Sequence, residues 1–281
     1  MTHPYVIADV FTSVPLQGNQ LAVFTEGDGL DTALMQRTAR ELNLSETVFV
    51  LPPSEDRSDA AIRIFTPGAE LPFAGHPVLG TAFVLGAQRG LSHVRLETGA
   101  GVIPIELTRQ GEEITFGEME QPIPTPQPFP KADALLAALG LERSELPIEA
   151  YQNGPLHVYV ALDSEEAVAA VSPNMGALAA LGPVGVNVTA GSGTRFKTRN
   201  FVPGLGVPED PATGSAAGPL AVHLIRHGWA RFGDQLEIRQ GEEIARPSLL
   251  YARVQGSEAQ IEHVFVGGCA VIVASGEYRL G

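Results

Sequence analysis

The chain resembles itself, and this internal repeat limits the folds that are open to it. Matching segments occur in the same order in the two halves, with nearly the same spacing between them. The matched pairs are Gly18–Phe24 with Asn153–Tyr159, Arg63–Gly68 with Arg199–Gly204, Pro72 with Pro208, and Gly75-His76 with Gly214-Ser215. Four collinear matches favour a duplication over chance resemblance among glycine, proline and aromatic residues.

The duplication predicts two domains, which fits a length of 281 residues. A proline-rich stretch from Gln121 to Pro128 should be extended and stiff, so we place the boundary there, with domains at 1–124 and 125–281. The closing β run, about 264–281, could pair with either half.

Each half shows strands in alternating or continuous apolar runs and one strongly apolar helix. In the first half, Asp31 is a candidate N-cap and Asn43 a candidate left-handed stop, so a helix should end just before Glu46. Pro77 is expected to open the apolar helix, which runs to about Gln88.

The second half repeats this pattern. An apolar helix is expected from about Ser215 to Gly228, with strands around Leu236–Ile238 and Leu249–Val254. Lys131–Gly140 has the pattern of a connecting helix.

Composition excludes several partners. Lys and Arg total 18 against 32 Asp and Glu, a net charge of −14, which disfavours nucleic acid. The single cysteine cannot form an internal disulfide, and the polar start differs from a secretory signal, so we expect a cytoplasmic protein. No apolar run approaches the ~18–20 residues that cross a bilayer, so no membrane role is expected.

The corners Gly75-His76 and Gly214-Ser215 each precede an apolar helix. Free N–H groups at a helix N-terminus attract anions, and glycine lets a ligand approach the backbone closely. The two corners together therefore predict a cleft between the halves for a small carboxylic acid, although either one alone could be an ordinary turn.

Acidic residues gather near these corners: Glu46, Glu70, Glu209 and Asp210. Alignment of Val48–Val50 with Val186–Val188 puts Val184 opposite Glu46, so only one half carries that carboxylate. A racemase needs two acids or thiols, whereas one carboxylate suits an isomerase that moves one proton along one face. Without the repeat, Glu46 would be interpreted as a solvated loop residue.

Other chemistries are disfavoured. Ser215 lacks a G-x-S-x-G nucleophile elbow, and no phosphate loop or dinucleotide fingerprint occurs. His223 and His227 are four apart and could bind a metal, but without an H-E-x-x-H pattern we favour a solvated helix face. We expect no cofactor and no metal.

Several blocks resemble the signature segments of the PhzF family of phenazine biosynthesis, over nearly the whole chain. They are Gly18-Asn19, Asn43–Thr47, Phe65–Pro67, Glu70–Pro77 and Glu209–Ala216. Gln20 departs from the family, which often has proline there. His76 and Ser215 stand where related epimerases and racemases place cysteines, which makes thiol-based racemisation improbable.

The resemblance implies an α+β fold of two pseudo-symmetric diaminopimelate-epimerase-like domains, each a β-barrel-like sheet around a central helix. It implies a homodimer that isomerises trans-2,3-dihydro-3-hydroxyanthranilate to an aminoketone, with Glu46 moving a proton from C3 to C1. His76, Asp210 and Ser215 would bind the substrate, and the backbone at Gly75, Gly214 and Ser215 would hold its carboxylate.

Two alternatives stay open. The chain could isomerise or epimerise a different small carboxylic acid, also through Glu46. It could instead be a metabolite-binding protein that has lost catalysis, which the complete set of candidate residues disfavours.

Overall fold

A computed structural model describes residues 2–280. The chain forms two compact units, one made of Met1–Glu120 with Gly267–Gly281 and the other of Gln121–Val266. The first unit is therefore discontinuous in sequence, and the second is continuous.

The first unit is built from a curled sheet and two helices. Its elements are β1 (Thr2–Val10), β2 (Asn19–Phe24), α1 (Thr32–Leu42), β3 (Glu46–Leu51), β4 (Ala60–Phe65), β5 (Glu70–Leu71), α2 (Gly75–Arg89), β6 (His93–Thr98), β7 (Gly101–Gln110), β8 (Glu113–Gln121) and β18 (Ala270–Arg279). The strands pair in the order β18, β1, β2, β3, β4, β6, β7, β8, and only the β2–β3 and β4–β6 pairs are parallel.

The second unit contains more helices on a similar sheet. Its elements are β9 (Thr125–Pro128), α3 (Ala132–Leu139), β10 (Glu149–Gln152), β11 (Leu156–Ala161), α4 (Glu165–Ala170), α5 (Met175–Ala179), β12 (Val184–Ser192), β13 (Arg195–Val202), β14 (Val207–Asp210), α6 (Gly214–Arg226), β15 (Leu236–Gln240), β16 (Ser248–Ser257) and β17 (Gln260–Gly268), with short 3-10 helices at Pro203–Leu205 and Glu242–Ile244. From β9 the pairing order is β10, β11, β12, β13, β15, β16, and only β11–β12 and β13–β15 are parallel.

The two units share this series of pairings. Leu21 lies opposite Glu46 in the parallel pair β2–β3, and Leu156 lies opposite Val184 in the parallel pair β11–β12. The sequence alignment equates the same residues, Leu21 with Leu156 and Glu46 with Val184. The duplicated segments therefore form the same kind of strand pair.

Each unit has one helix that is buried almost throughout. Every residue of α2 from Gly75 to Gly86 is buried, as is every residue of α6 from Gly214 to Leu224. A helix that is apolar on all sides must be covered on all sides. In the first unit, strands from both ends of the sheet, β1, β18, β6 and β7, contact α2, so the sheet wraps around the helix.

The first unit has an aromatic core under α1. Phe24 and Phe49 stack with centroids 4.9 Å apart, and Phe49 meets Phe65 edge to face. Met35 and Ala39 of α1 are buried in the same cluster. The predicted helix ends are confirmed, because Asp31 accepts a hydrogen bond from the Leu34 N–H at 2.7 Å and Asn43 has φ 51°.

Three expectations need correction or refinement. Helix α2 begins at Gly75, so Pro77 is its third residue, where a missing N–H still costs no helical bond. Part of the proline-rich stretch, Thr125–Pro128, forms a strand against Glu149–Gln152. Helix α3 does more than connect, since Leu135 and Leu139 are buried in the core of the second unit.

The closing strand β18 pairs antiparallel with β1 of the first unit, from Thr2 opposite Arg279 to Val10 opposite Ala270. Across residues 2–280, none of the helices combines the length and apolar character that a bilayer crossing requires.

Close packing of α2 on the sheet depends on Gly80. A Cβ at this position would lie 2.6 Å from Leu21 Cδ2 and 2.7 Å from Val10 Cγ2. We expect Gly80→Ala to lower the free energy of unfolding by about 1–3 kcal/mol through overpacking, measured by urea denaturation. The matched control is Gly176→Ala on α5, where the nearest atom to a new Cβ is 3.5 Å away; equal effects of the two substitutions would contradict this account of the packing.

Candidate substrate site

Glu46 and His76 lie together in the first unit. Glu46 is the first residue of β3, and its Oε2 is 3.3 Å from Nε2 of His76, the second residue of α2. The His76 side chain is 3% exposed and that of Glu46 13%. Two residues that are thirty positions apart in sequence are therefore brought into contact at the buried N-terminus of a helix.

His76 is held in an uncharged state. Burial lowers the pKa of His76 to about 3, against a weaker opposing effect of a hydrogen bond with the Gln20 backbone. Its Nδ1 is 3.2 Å from Nδ2 of Asn19, which fixes the ring orientation. At neutral pH the contact with Glu46 is therefore between a carboxyl group and a neutral imidazole.

In the second unit, Asp210 forms part of a rigid turn into α6. Its Oδ2 accepts a hydrogen bond from Thr213 Oγ1 at 2.6 Å. Gln240 donates from Nε2 to the Asp210 carbonyl at 2.7 Å and accepts at Oε1 from the Thr213 N–H at 3.2 Å. The Asp210 carboxylate is thus oriented before any ligand binds.

Ser215 is the second residue of α6 and is 4% exposed. Its Oγ lies 3.1 Å from Nε2 of His157, and its carbonyl accepts from Asn153 Nδ2 at 3.1 Å. Burial lowers the pKa of His157 to about 3, so this imidazole is also neutral. In each unit, a neutral histidine therefore lies at or beside a candidate site residue near the start of the buried helix.

The helix starts at Gly75 and Gly214 leave backbone donors for a ligand. The residues before them, Ala74 and Thr213, make no side-chain cap hydrogen bond within the described part of the chain. The first N–H groups of a helix have no intrahelical partner, and the helix dipole places partial positive charge there. Donors of this kind attract anions, and binding of a carboxylate at the two corners stays a prediction.

Two of the acidic residues near the corners, Glu70 and Glu209, form ion pairs with arginines. Glu70 forms a two-point ion pair with Arg63, at 2.6 and 2.7 Å, and Glu209 forms one with Arg199, at 2.8 and 2.9 Å. Each pair joins β4 to β5 or β13 to β14. Such fork-like pairs hold loop geometry, which distinguishes Glu70 and Glu209 from Glu46 and its contact with His76.

Sequence reasoning missed three residues that contact the candidate site residues Ser215 and Asp210. They are His157, Thr213 and Gln240. His157 lies within the repeated segment Asn153–Tyr159. A histidine in an otherwise apolar strand was the signal that could have identified it. Gln240 carries no such signal, since it reaches Asp210 from a strand thirty residues away.

The expectation of a solvated face for His223 and His227 was wrong for His223. This side chain is fully buried, with its ring stacked on Tyr159 at 5.5 Å and edge-on to Tyr151 at 5.6 Å. His227 is partly buried, and its Nε2 lies 3.0 Å from Oε2 of Glu149. The helix face turned toward these residues is an interior one.

Known proteins resemble the chain over almost its whole length. It is 51% identical over 278 residues to a trans-2,3-dihydro-3-hydroxyanthranilate isomerase of Pseudomonas aeruginosa, covering 99% of this chain and 100% of the relative. It is also 51% identical over 274 residues to the protein of the same name in Pseudomonas chlororaphis, covering 98% of each.

Solved structures resemble it in fold. A phenazine biosynthesis protein of the PhzF family from Bacillus anthracis has a TM-score of 0.85 at 27% identity, with 99% of each chain covered. A hydroxyproline epimerase from Agrobacterium vitis has a TM-score of 0.67 at 14% identity, covering 99% of this chain and 91% of that one, which is a likeness of fold alone.

The family whose model matches residues 8–276 is described as phenazine biosynthesis-like protein, PhzC-PhzF. With this match and the 51% identity of the relatives, the chain belongs to the PhzC-PhzF family of phenazine biosynthesis-like proteins.

Proposed function

We propose that the protein is a cofactor-independent isomerase that converts trans-2,3-dihydro-3-hydroxyanthranilate to an aminoketone on the route to phenazines. The observation that carries the chemistry is the contact of Glu46 with neutral, buried His76 at the N-terminus of α2. The substrate is proposed from the 51% identity to proteins of that name.

The proposed reaction needs one proton carrier. The Glu46 carboxylate takes the proton from C3 of the ring, and the resulting carboxylic acid returns a proton to C1, so atoms and electrons balance without an oxidant or reductant. A positioned carboxyl group of this kind contributes about 10²–10⁴-fold to a rate. Because Val184 occupies the position in β12 that Glu46 has in β3, the arrangement supports transfer along one face of the ring.

The neutral state of His76 favours Glu46 as the group that takes up the proton. A charged imidazolium 3.3 Å away would stabilise the Glu46 carboxylate and make it a weaker base. Since burial lowers the pKa of His76 to about 3, the carboxylate is spared that effect at neutral pH. We assign His76 the role of orienting Glu46 and the substrate.

The substrate carboxylate is proposed to bind the free backbone N–H groups at Gly75 and at Gly214 and Ser215. Their position at helix N-termini makes them suitable for an anion. Asp210 and the Ser215 hydroxyl are assigned to the polar groups of the ring, because both are held in one orientation by Thr213 and His157.

We further propose a cytoplasmic homodimer. A lone cysteine, Cys269, fits a reducing compartment, and the dimer follows from the family resemblance. Light scattering of the purified protein gives the mass of the particle and tests the dimer directly.

Glu46→Gln should lower kcat by roughly 100-fold or more and leave folding intact, since it removes the proton carrier but keeps the shape of the side chain. Turnover of the dihydrohydroxyanthranilate and entry of solvent deuterium into carbon are measured together. The control is Glu41→Gln on the exposed side of α1, which should turn over normally.

Near-normal turnover in Glu46→Gln would remove the assignment of Glu46. Saturable binding without deuterium exchange by the unaltered protein would indicate a metabolite-binding protein instead. Exchange with a different carboxylic acid, but not with this one, would leave Glu46 in place and change the substrate.

Ser215→Ala should raise KM by roughly 2–10-fold with a smaller effect on kcat, the loss expected for one hydrogen bond made equally to substrate and transition state. Steady-state kinetics give both constants. Exposed Ser192 provides the matched control as Ser192→Ala, and an unchanged KM in Ser215→Ala would contradict the assigned contact.

A further inference from the structure

A second cluster of ionisable side chains lies at the other end of α6, in the second unit. Its members are Glu149 at the start of β10, His223 in the last turn of α6 and His227 at the C-cap. One ligand atom from each lies within 4.8 Å of the others. His223 is eight residues beyond Ser215, about 12 Å along the helix axis, so the cluster is separate from the substrate residues of this unit.

The separations of Glu149 Oε2 from the two histidine nitrogens are close to those that a metal ion requires. Glu149 Oε2 is 3.0 Å from His227 Nε2 and 3.5 Å from His223 Nδ1. A tetrahedral Zn²⁺ ion with Zn–N and Zn–O distances near 2.0–2.2 Å sets its ligand atoms about 3.4 Å apart. Histidines four apart at a helix end, with a carboxylate from a neighbouring strand, therefore need little movement to enclose an ion.

The surroundings orient these groups. Tyr151 Oη donates to Glu149 Oε2 at 2.8 Å and so orients the carboxylate. It also lies 3.2 Å from His223 Nδ1, a contact that a metal ion bound at Nδ1 would replace. Partners of this kind, which hold ligands without binding the metal, are usual around metal sites. The His223 ring is in addition clamped between Tyr159 and Tyr151.

Local electrostatics favour a cation on balance. The cluster lies at the C-terminus of α6, where the helix dipole is negative, and Glu149 supplies a full negative charge. Arg226 opposes a cation, but its Nη2 is 3.5 Å from Oε1 of Glu149, whereas the contacts with His223 and His227 are made by Oε2. Oε2 is left to face His223 and His227.

We propose that Glu149, His223 and His227 form a binding site for Zn²⁺ or a similar borderline divalent cation. Two imidazoles and one carboxylate suit Zn²⁺ better than Mg²⁺ or Ca²⁺, which take oxygen ligands. The Glu149 and His227 side chains are 21% and 19% exposed, so the fourth position is open to water or to a donor from another molecule. The site fixes the end of the helix whose start carries Ser215.

The test is a Zn²⁺ titration of the purified, metal-stripped chain against a chromophoric chelator. The unaltered protein should bind one Zn²⁺ per chain and unfold at a higher temperature with the metal present. Glu149→Gln and His227→Asn should each weaken binding by more than about 10-fold, and Tyr151→Phe by about 10-fold through loss of the orienting hydroxyl.

The matched control is His93→Gln, which removes a histidine from the exposed His93–Glu106 pair and should leave Zn²⁺ binding unchanged. Melting of each metal-free variant shows whether it is folded, and His227→Asn, at a partly exposed helix end, carries the test if Glu149→Gln fails to fold. Absence of saturable binding, or equal affinity in His227→Asn and the unaltered chain, would overturn the proposal; neither result bears on Glu46.

Discussion

Two helices that are apolar on every side impose the architecture. A surface helix needs only one apolar stripe, whereas α2 and α6 expose almost nothing over their first three turns. The strands have to curl around them, and glycines such as Gly80 and Gly218 let strands and side chains approach within the distance that a Cβ would occupy. Burial of the helix starts follows, and with it the low-dielectric surroundings of His76 and Ser215.

The hairpin that precedes each buried helix is held by the same set of contacts in both units. Arg63 pairs with Glu70 and lies over the Phe65 ring at 5.1 Å, and Arg199 pairs with Glu209 and lies over the Phe201 ring at 4.9 Å. The guanidinium group thus joins a hairpin to a buried phenylalanine ring in both units. One duplicated set of acids, Glu70 and Glu209, serves the scaffold, whereas Glu46 is replaced by Val184 at the matching position of the second unit.

The sequence was most informative where structure is decided locally. Asp31 and Asn43 predicted both ends of α1, because caps depend on a few neighbouring residues. The aligned repeats predicted that Glu46 and Val184 occupy matching positions, which the two parallel strand pairs confirm. It was less informative about long-range contacts. Pairing of β18 with β1, the reach of Gln240 to Asp210 and the burial of His223 depend on which strand lies beside which, and periodicity carries no such information. The start of α2 was predicted at Pro77, two residues too late, because proline is compatible with any position in the first turn of a helix.

The two ends of helix α6 carry different groups. Helix α6 presents free N–H groups and Ser215 at one end, and His223 and His227 at the other, with eleven buried residues fixing its position in the sheet. Packing of these residues in the core, rather than the loops, therefore limits the movement of either end.

Pairing of β1 with β18 affects the order in which the chain folds during translation. The second unit is continuous, so its residues have all been made before the ribosome reaches the segment that completes the first unit. The usual order, in which the N-terminal part of a chain folds first during translation, is thereby reversed for the finished sheet. Until Ala270–Arg279 emerges, one edge of β1 is an open strand edge of the kind that chaperones cover and that invites aggregation.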